Sequence, residues 1–128
     1  MEKLKIVMLL FPDLTLLDFV GPYDVFARND HFEICTVAMA AWEIKAEGGL
    51  VVVADYSFED CPQADILFVP GGKGITPLLN DAAHIKFLQK QGSSAQYVTS
   101  VCTGALLLAA AGLLVGYRQL LIGDRLSY

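Results

Sequence analysis

The sequence predicts an α/β fold, a mostly parallel sheet with helices on both faces. Residues 4–10, 65–69 and 97–101 read as strands that are apolar almost throughout, as strands covered on both faces are. Segments of helical periodicity alternate with them, as crossover connections require. Small or turn-forming residues follow each strand at once: Phe11-Pro12-Asp13, Pro70-Gly71-Gly72 and Cys102-Thr103-Gly104.

Taken in order, residues 4–10 form the first strand. The apolar stretch that opens the chain stops at Pro12-Asp13 without a small-residue cleavage site, so it is read as a strand and not as a leader. Asp18 then lies in a loop, and Pro22 is suited to the first turn of a helix running to about Arg28. Residues 32–38 are the second strand. Residues 42–45 and 50–54 are short β-like pieces around Gly48-Gly49, either a hairpin or an edge extension, and residues 55–62 are a turn or a short helix. The strand 65–69 is followed by one helical turn at 75–79 and a full helix at 81–91, with Ile85 and Leu88 facing inward. After the strand 97–101 a helix runs to about Leu114, with Gly116 as its C-terminal stop.

The chain has 128 residues, which suits one domain, 1–128, with a proper core. A hydrophobic fraction of 55% against 18% charged excludes a disordered chain. The net charge of −5, an isoelectric point of about 4.8 and the lack of any basic cluster make nucleic acid and anionic membrane poor partners. The longest apolar run, residues 105–115, is too short to span a bilayer. Three cysteines without a CxxC pair do not make a disulfide framework, and a reducing, cytoplasmic location is expected.

The chemistry centres on Cys102. A β-branched strand runs into it, Ser100 and Gly104 flank it two places away on either side, and an Ala/Leu-rich helix begins directly after it. This is the pattern of a nucleophile elbow, with sulfur in place of a serine hydroxyl. A chain that reverses under the nucleophile needs small neighbours, and a helix start favours thiolate over thiol. Asp18 lies inside the apolar string Leu16-Leu17-Asp18-Phe19-Val20. Burial among such side chains favours the protonated carboxyl, which can deliver a proton, although a helix cap or plain loop carboxylate explains Asp18 equally well. Gly71 and Gly72 let the backbone approach closely, and with the amide of Thr103 they can form an oxyanion-type hole; a tight turn is the plainer explanation. A phosphate loop is disfavoured, because GxxxxGK[ST] is absent and GxGxxG fails at Pro77. Strand ends in an open α/β sheet gather at one rim, which would bring Asp18, Gly71-Gly72 and Cys102 together. His31 and His84 have no metal-ligand spacing with any cysteine. Cys35 is expected in the core, Cys61 in a turn, and His84 on a solvated face beside Lys86 and Lys90.

Phe11-Pro12, Leu17-Asp18 with Gly21-Pro22, Val69-Pro70-Gly71-Gly72 and Ser100-Val101-Cys102-Thr103-Gly104 resemble, in order and spacing, the ThiJ/PfpI family and in particular its isocyanide hydratase branch. The resemblance covers the chain to about Arg118. It implies a flavodoxin-like fold, a homodimer, a small-molecule substrate and no metal or organic cofactor. Carried over, Cys102 is the nucleophile, Asp18 the acid/base, and Gly72 and Thr103 supply backbone donors. The implied reaction is hydration of an isocyanide to an N-substituted formamide. The chain departs from the family after Arg118: a segment like Arg-x-Thr-Thr-His-Trp has no match, and the fold is expected to be C-terminally short. A short strand at Gln119–Ile122 or a partner chain is expected to close the sheet. A noncatalytic ligand- or redox-sensing domain, and a glyoxalase- or amidase-like enzyme, stand as the alternatives.

Overall fold

A computed structural model describes residues 2–40 and 42–113, and the backbone of 119–122. The predicted α/β class holds. A six-stranded sheet has the order β5-β2-β1-β6-β7-β8, and every neighbouring pair in it is parallel. Its strands are β1 (Leu4–Leu9), β2 (Phe32–Ala38), β5 (Tyr56–Ser57), β6 (Ile66–Val69), β7 (Tyr97–Val101) and β8 (Gln119–Ile122). Between them run the helices α1 (Leu16–Ala27), α2 (Ile75–Leu78), α3 (Ala82–Gly92) and α4 (Gly104–Ala110). From β1 the chain first moves outward to β2 on one side, then returns to β6 and proceeds the other way. Right-handed crossovers therefore place α1 on one face and α3 and α4 on the other. Residues 6–11 are wholly buried at every position, odd and even, so β1 is covered on both faces.

Several expectations need correction. α1 begins at Leu16, well before Pro22, and Asp18 sits in its first turn and not in a loop. The extended Thr15 (φ −77°, ψ 113°) starts the helix, and Phe19 and Phe26 continue its inward stripe. Pro22 lies inside α1, where it removes only the amide that would bond the Asp18 carbonyl. Phe26 meets Phe32 and Phe68 edge-to-face at centroid distances of 5.5 and 6.2 Å, anchoring the helix on the sheet.

Residues 43–45 and 51–53 form an antiparallel hairpin, β3 (Glu43–Lys45) and β4 (Val51–Val53), outside the main sheet. Residues 56–57 are neither turn nor helix but the edge strand β5. A long-range clasp sets this: Asp55 Oδ2 accepts from the Thr36 amide at 2.9 Å, and Thr36 Oγ1 accepts from the Asp55 amide at 3.0 Å. α4 ends at Ala110, short of the predicted Leu114. Gly112 (φ 77°) turns the chain, its amide bonding Ala109 O at 3.0 Å while the Leu113 amide bonds Leu108 O at 2.9 Å, a Schellman stop. Leu114 and Gly116 lie outside the described residues. β8 pairs parallel with β7, as the expected short strand would.

His84 is also corrected. It is 5% exposed, edge-on to Phe58 at 5.0 Å, with Nδ1 2.6 Å from Asp81 Oδ2. Its helical neighbours Phe87, Leu88 and Gln91 are buried too, so it belongs to the inner stripe of α3.

Candidate functional site

The order of the sheet reverses between β1 and β6, and open α/β sheets form a crevice at the carboxyl ends of strands at such a point. The segments leaving β1, β6 and β7 meet there. A cleft of about 350 Å³ is lined by Asp18 and Thr15 from the first, Gly72, Lys73, Ile75 and Thr76 from the second, and Cys102, Thr103 and Leu106 from the third. Asp18, Gly72, Cys102 and Thr103, four of the residues singled out from the sequence, thus share one cavity.

Cys102 has φ 47°, the left-handed conformation that costs a non-glycine residue energy and is held only by its surroundings. The residue is exposed, while Val101 before it and Gly104 after it are buried. The close packing beneath the corner accounts for the small residues. A Cβ on Gly104 would lie 2.2 Å from Val69 O, and one on Gly71 would lie 2.9 Å from Cys102 Cβ, Thr103 N and Thr103 Oγ1 alike. Gly71 therefore lies beneath the corner, buried, and its carbonyl accepts from the Thr15 amide at 2.9 Å. Gly72 (φ 138°) donates its amide to Thr103 Oγ1 at 2.9 Å, which ties the glycine loop to the start of α4.

Asp18 is half-buried in the first turn of α1, and its amide donates to Thr15 O at 3.0 Å. Thr15 is held in turn by Glu47, whose Oε2 accepts from Thr15 Oγ1 at 3.0 Å and whose Oε1 accepts from the Lys73 amide at 3.3 Å. One carboxylate from the β3–β4 turn therefore bridges the segment bearing Asp18 and the glycine loop. Sequence reasoning missed Thr15, Glu47 and Lys73. Nothing local in Ala46-Glu47-Gly48-Gly49 marks the glutamate, because both its partners are remote in the chain. A larger cleft of about 630 Å³ beside α3 is lined by Leu79, Ile85, Lys86 and Gln89 among others, with no thiol, hydroxyl or carboxylate among its described lining residues. Asp18, Cys102 and the Thr15, Thr76 and Thr103 side chains line the smaller one.

Comparison with known proteins follows the same lines. Residues 4–119 match the model of the DJ-1/PfpI family. The chain is 44% identical over 115 residues to isonitrile hydratase of Pseudomonas putida, covering 90% of this chain and 50% of that protein. It is 35% identical over 82 residues to the HTH-type transcriptional regulator GbdR of Pseudomonas aeruginosa, covering 64% of this chain and 22% of the regulator. Among solved structures, a ThiJ/PfpI family protein from Pseudomonas syringae superposes with a TM-score of 0.84 at 37% identity, over 88% of this chain and 48% of that one. The chain thus spans about half the length of the hydratase and of this solved relative. No described helix is long and apolar enough to cross a membrane.

Proposed function

The chain belongs to the DJ-1/PfpI family, and from that premise we propose that it is an isocyanide hydratase-like cysteine enzyme acting through Cys102 and Asp18. The observation that supports this reading best is the meeting of the two in one cleft: an exposed sulfur on a left-handed corner, and a half-buried carboxyl from the first turn of α1. The likeness to isonitrile hydratase supplies the substrate class, since isonitrile and isocyanide are the same group.

The terminal carbon of an isocyanide carries a lone pair yet accepts a soft nucleophile, which suits a thiolate. As the Cys102 sulfur attacks that carbon, Asp18 takes the thiol proton and passes it to the same carbon, giving a thioimidate in which carbon is bonded to sulfur, hydrogen and nitrogen. Water then adds to the same carbon, with Asp18 taking its proton. The hydroxyl proton of the adduct passes to the nitrogen, the C–S bond breaks as the carbonyl forms, Asp18 gives its proton back to the departing sulfur, and the N-substituted formamide is released. Gly71 shapes the corner and the Thr103 amide meets the developing charge, while the Gly72 amide, expected from the sequence as a second donor, is committed to the Thr103 hydroxyl instead. The Thr103 hydroxyl, fixed by the Gly72 amide, positions the substrate.

The test is formamide production from an alkyl isocyanide, followed by chromatography, together with the intact mass of the quenched protein. Cys102→Ala is expected to lose at least about 10³-fold in turnover and the covalent adduct with it, and Asp18→Asn about 10²-fold or more. Unchanged turnover by Cys102→Ala would falsify the mechanism. The likeness to the regulator GbdR favours a second reading, a ligand-sensing domain. Saturable binding of the isocyanide, without formamide from the unaltered chain, would replace the first reading with this one.

A further inference from the structure

Thr15-Leu16-Leu17-Asp18 has the spacing of a capping box. In such a box the threonine hydroxyl accepts from the amide three residues on, and the acidic side chain reaches back to the threonine amide. That arrangement would satisfy the start of α1 and occupy the Asp18 carboxyl. In the structure both arms are diverted. Thr15 has the extended backbone of a cap (φ −77°, ψ 113°), yet its side chain makes no capping bond to α1. Its hydroxyl donates instead to Glu47 Oε2 at 3.0 Å, 32 residues away, and its amide donates to Gly71 O at 2.9 Å. The Asp18 amide settles on the Thr15 carbonyl at 3.0 Å. The Asp18 carboxyl is thereby left to the cleft that it lines with Cys102. Glu47 is itself held in place. Its amide donates to Leu14 O at 2.9 Å, Ala46 before it is buried, and its Oε1 accepts from the Lys73 amide at 3.3 Å. Gly48 and Gly49 take the left-handed φ of 85° and 98° in the turn that presents it.

We propose that Glu47 is a positioning residue for the reaction: by engaging the Thr15 hydroxyl it keeps the capping box open, and so keeps the Asp18 carboxyl available to Cys102. This rests on the proton-carrying role proposed above for Asp18. Side-chain caps are favoured at helix starts, so the open box needs a competitor for Thr15, and Glu47 is that competitor. Without its acceptor the Thr15 hydroxyl turns to the Asp18 amide, the Thr15 amide leaves Gly71, and the carboxyl folds back onto that amide as a cap. Glu47 touches neither substrate nor sulfur in this account; it acts only through Thr15 and Asp18.

The test is a double-mutant cycle on Glu47 and Asp18 in the full chain. It is read as hydration of an alkyl isocyanide and as the pH profile of Cys102 alkylation by iodoacetamide, followed by mass spectrometry. Glu47→Ala is expected to lose about 30-fold in kcat with KM moved by less than about threefold, and to add about threefold or less to the loss in Asp18→Asn. Its alkylation profile should move onto that of Asp18→Asn. Glu47→Gln keeps an acceptor for the Thr15 hydroxyl and is expected within about fivefold of the unaltered chain. Three results overturn the proposal while leaving the role of Asp18 standing: losses that multiply in the double variant, a Glu47→Gln as slow as Glu47→Ala, or a Glu47→Ala alkylation profile equal to that of the unaltered chain. A profile that Asp18→Asn itself does not move overturns both together. If the unaltered chain makes no formamide, the hydratase reading falls, and the alkylation profiles alone decide whether Glu47 places Asp18. Glu47→Asp, one methylene short of Thr15, serves in the same cycle should Glu47→Ala fail to fold.

Discussion

Cys102 keeps its left-handed φ because what lies beneath leaves no other path, and Gly71 is the residue that yields the space. A methyl group there would sit 2.9 Å from a Cβ, an amide nitrogen and a hydroxyl oxygen at once. Two of these are backbone or backbone-bound and cannot swing aside, so Gly71→Ala must displace the corner. Gly71→Ala is therefore expected to lower kcat/KM for isocyanide hydration by about 10²-fold and to change the rate of Cys102 alkylation by iodoacetamide, with an unchanged circular dichroism spectrum. Gly21→Ala is the control: the nearest atom to its new methyl is Leu17 Cδ1 at 3.9 Å, and alanine suits a helix interior better than glycine by about 1 kcal/mol. Alkylation and turnover equal to those of the unaltered chain would show that the corner does not depend on Gly71. This residue also marks a limit of sequence reading. That Gly71-Gly72 admits a close approach was legible, but not that the approaching groups belong to Cys102 and Thr103. Local sequence encodes the permission, and the partner comes from another strand.

At the scale of the element, α3 shows both a misreading and a testable titration. Lys86 and Lys90 drew His84 to the solvated side, yet its own period, 84-87-88-91, is the buried face of the helix. The apolar stripe outweighs the neighbouring charges, so this position was legible and was misread. Asp81, the N-cap, accepts from the His84 amide at 3.0 Å and lies 2.6 Å from His84 Nδ1. The hydrogen bonds from the His84 side chain and amide hold its carboxyl below the usual range. A group whose pKa is depressed by folding adds stability above its unfolded value, and that contribution is lost as pH falls through the folded one. Urea midpoints measured downward from about pH 5 to pH 3 should therefore fall more steeply for the unaltered chain than for Asp81→Asn, which keeps a good cap but cannot titrate. Parallel pH profiles would remove Asp81 from the acid response.

For the whole molecule, β1 decides the architecture. It bonds β2 on one side and β6 on the other, and the turn that follows it delivers Asp18 to the rim that β6 and β7 also reach. Its apolar run made both this central place and the meeting of three strand ends readable in advance. The edges were not readable: β5 exists because Asp55 and Thr36 bind each other across the fold, a pairing with no local signature. The same centrality sets the last expectation. Leu9 is wholly buried, pairs with Val37 and lines no part of the cleft. Leu9→Ala opens a cavity in a layer covered on both faces, so it should cost about 2–5 kcal/mol of unfolding free energy in denaturant titration. Val53→Ala on the hairpin, at a side chain 64% exposed, should stay within about 0.5 kcal/mol. If the sheet unfolds as one cooperative unit, the denaturant slope is unchanged in Leu9→Ala, and turnover per folded molecule at low temperature stays that of the unaltered chain. A shallower slope, or turnover lost while the protein is still folded, would mean that β1 and the rim it supports come apart in separate steps.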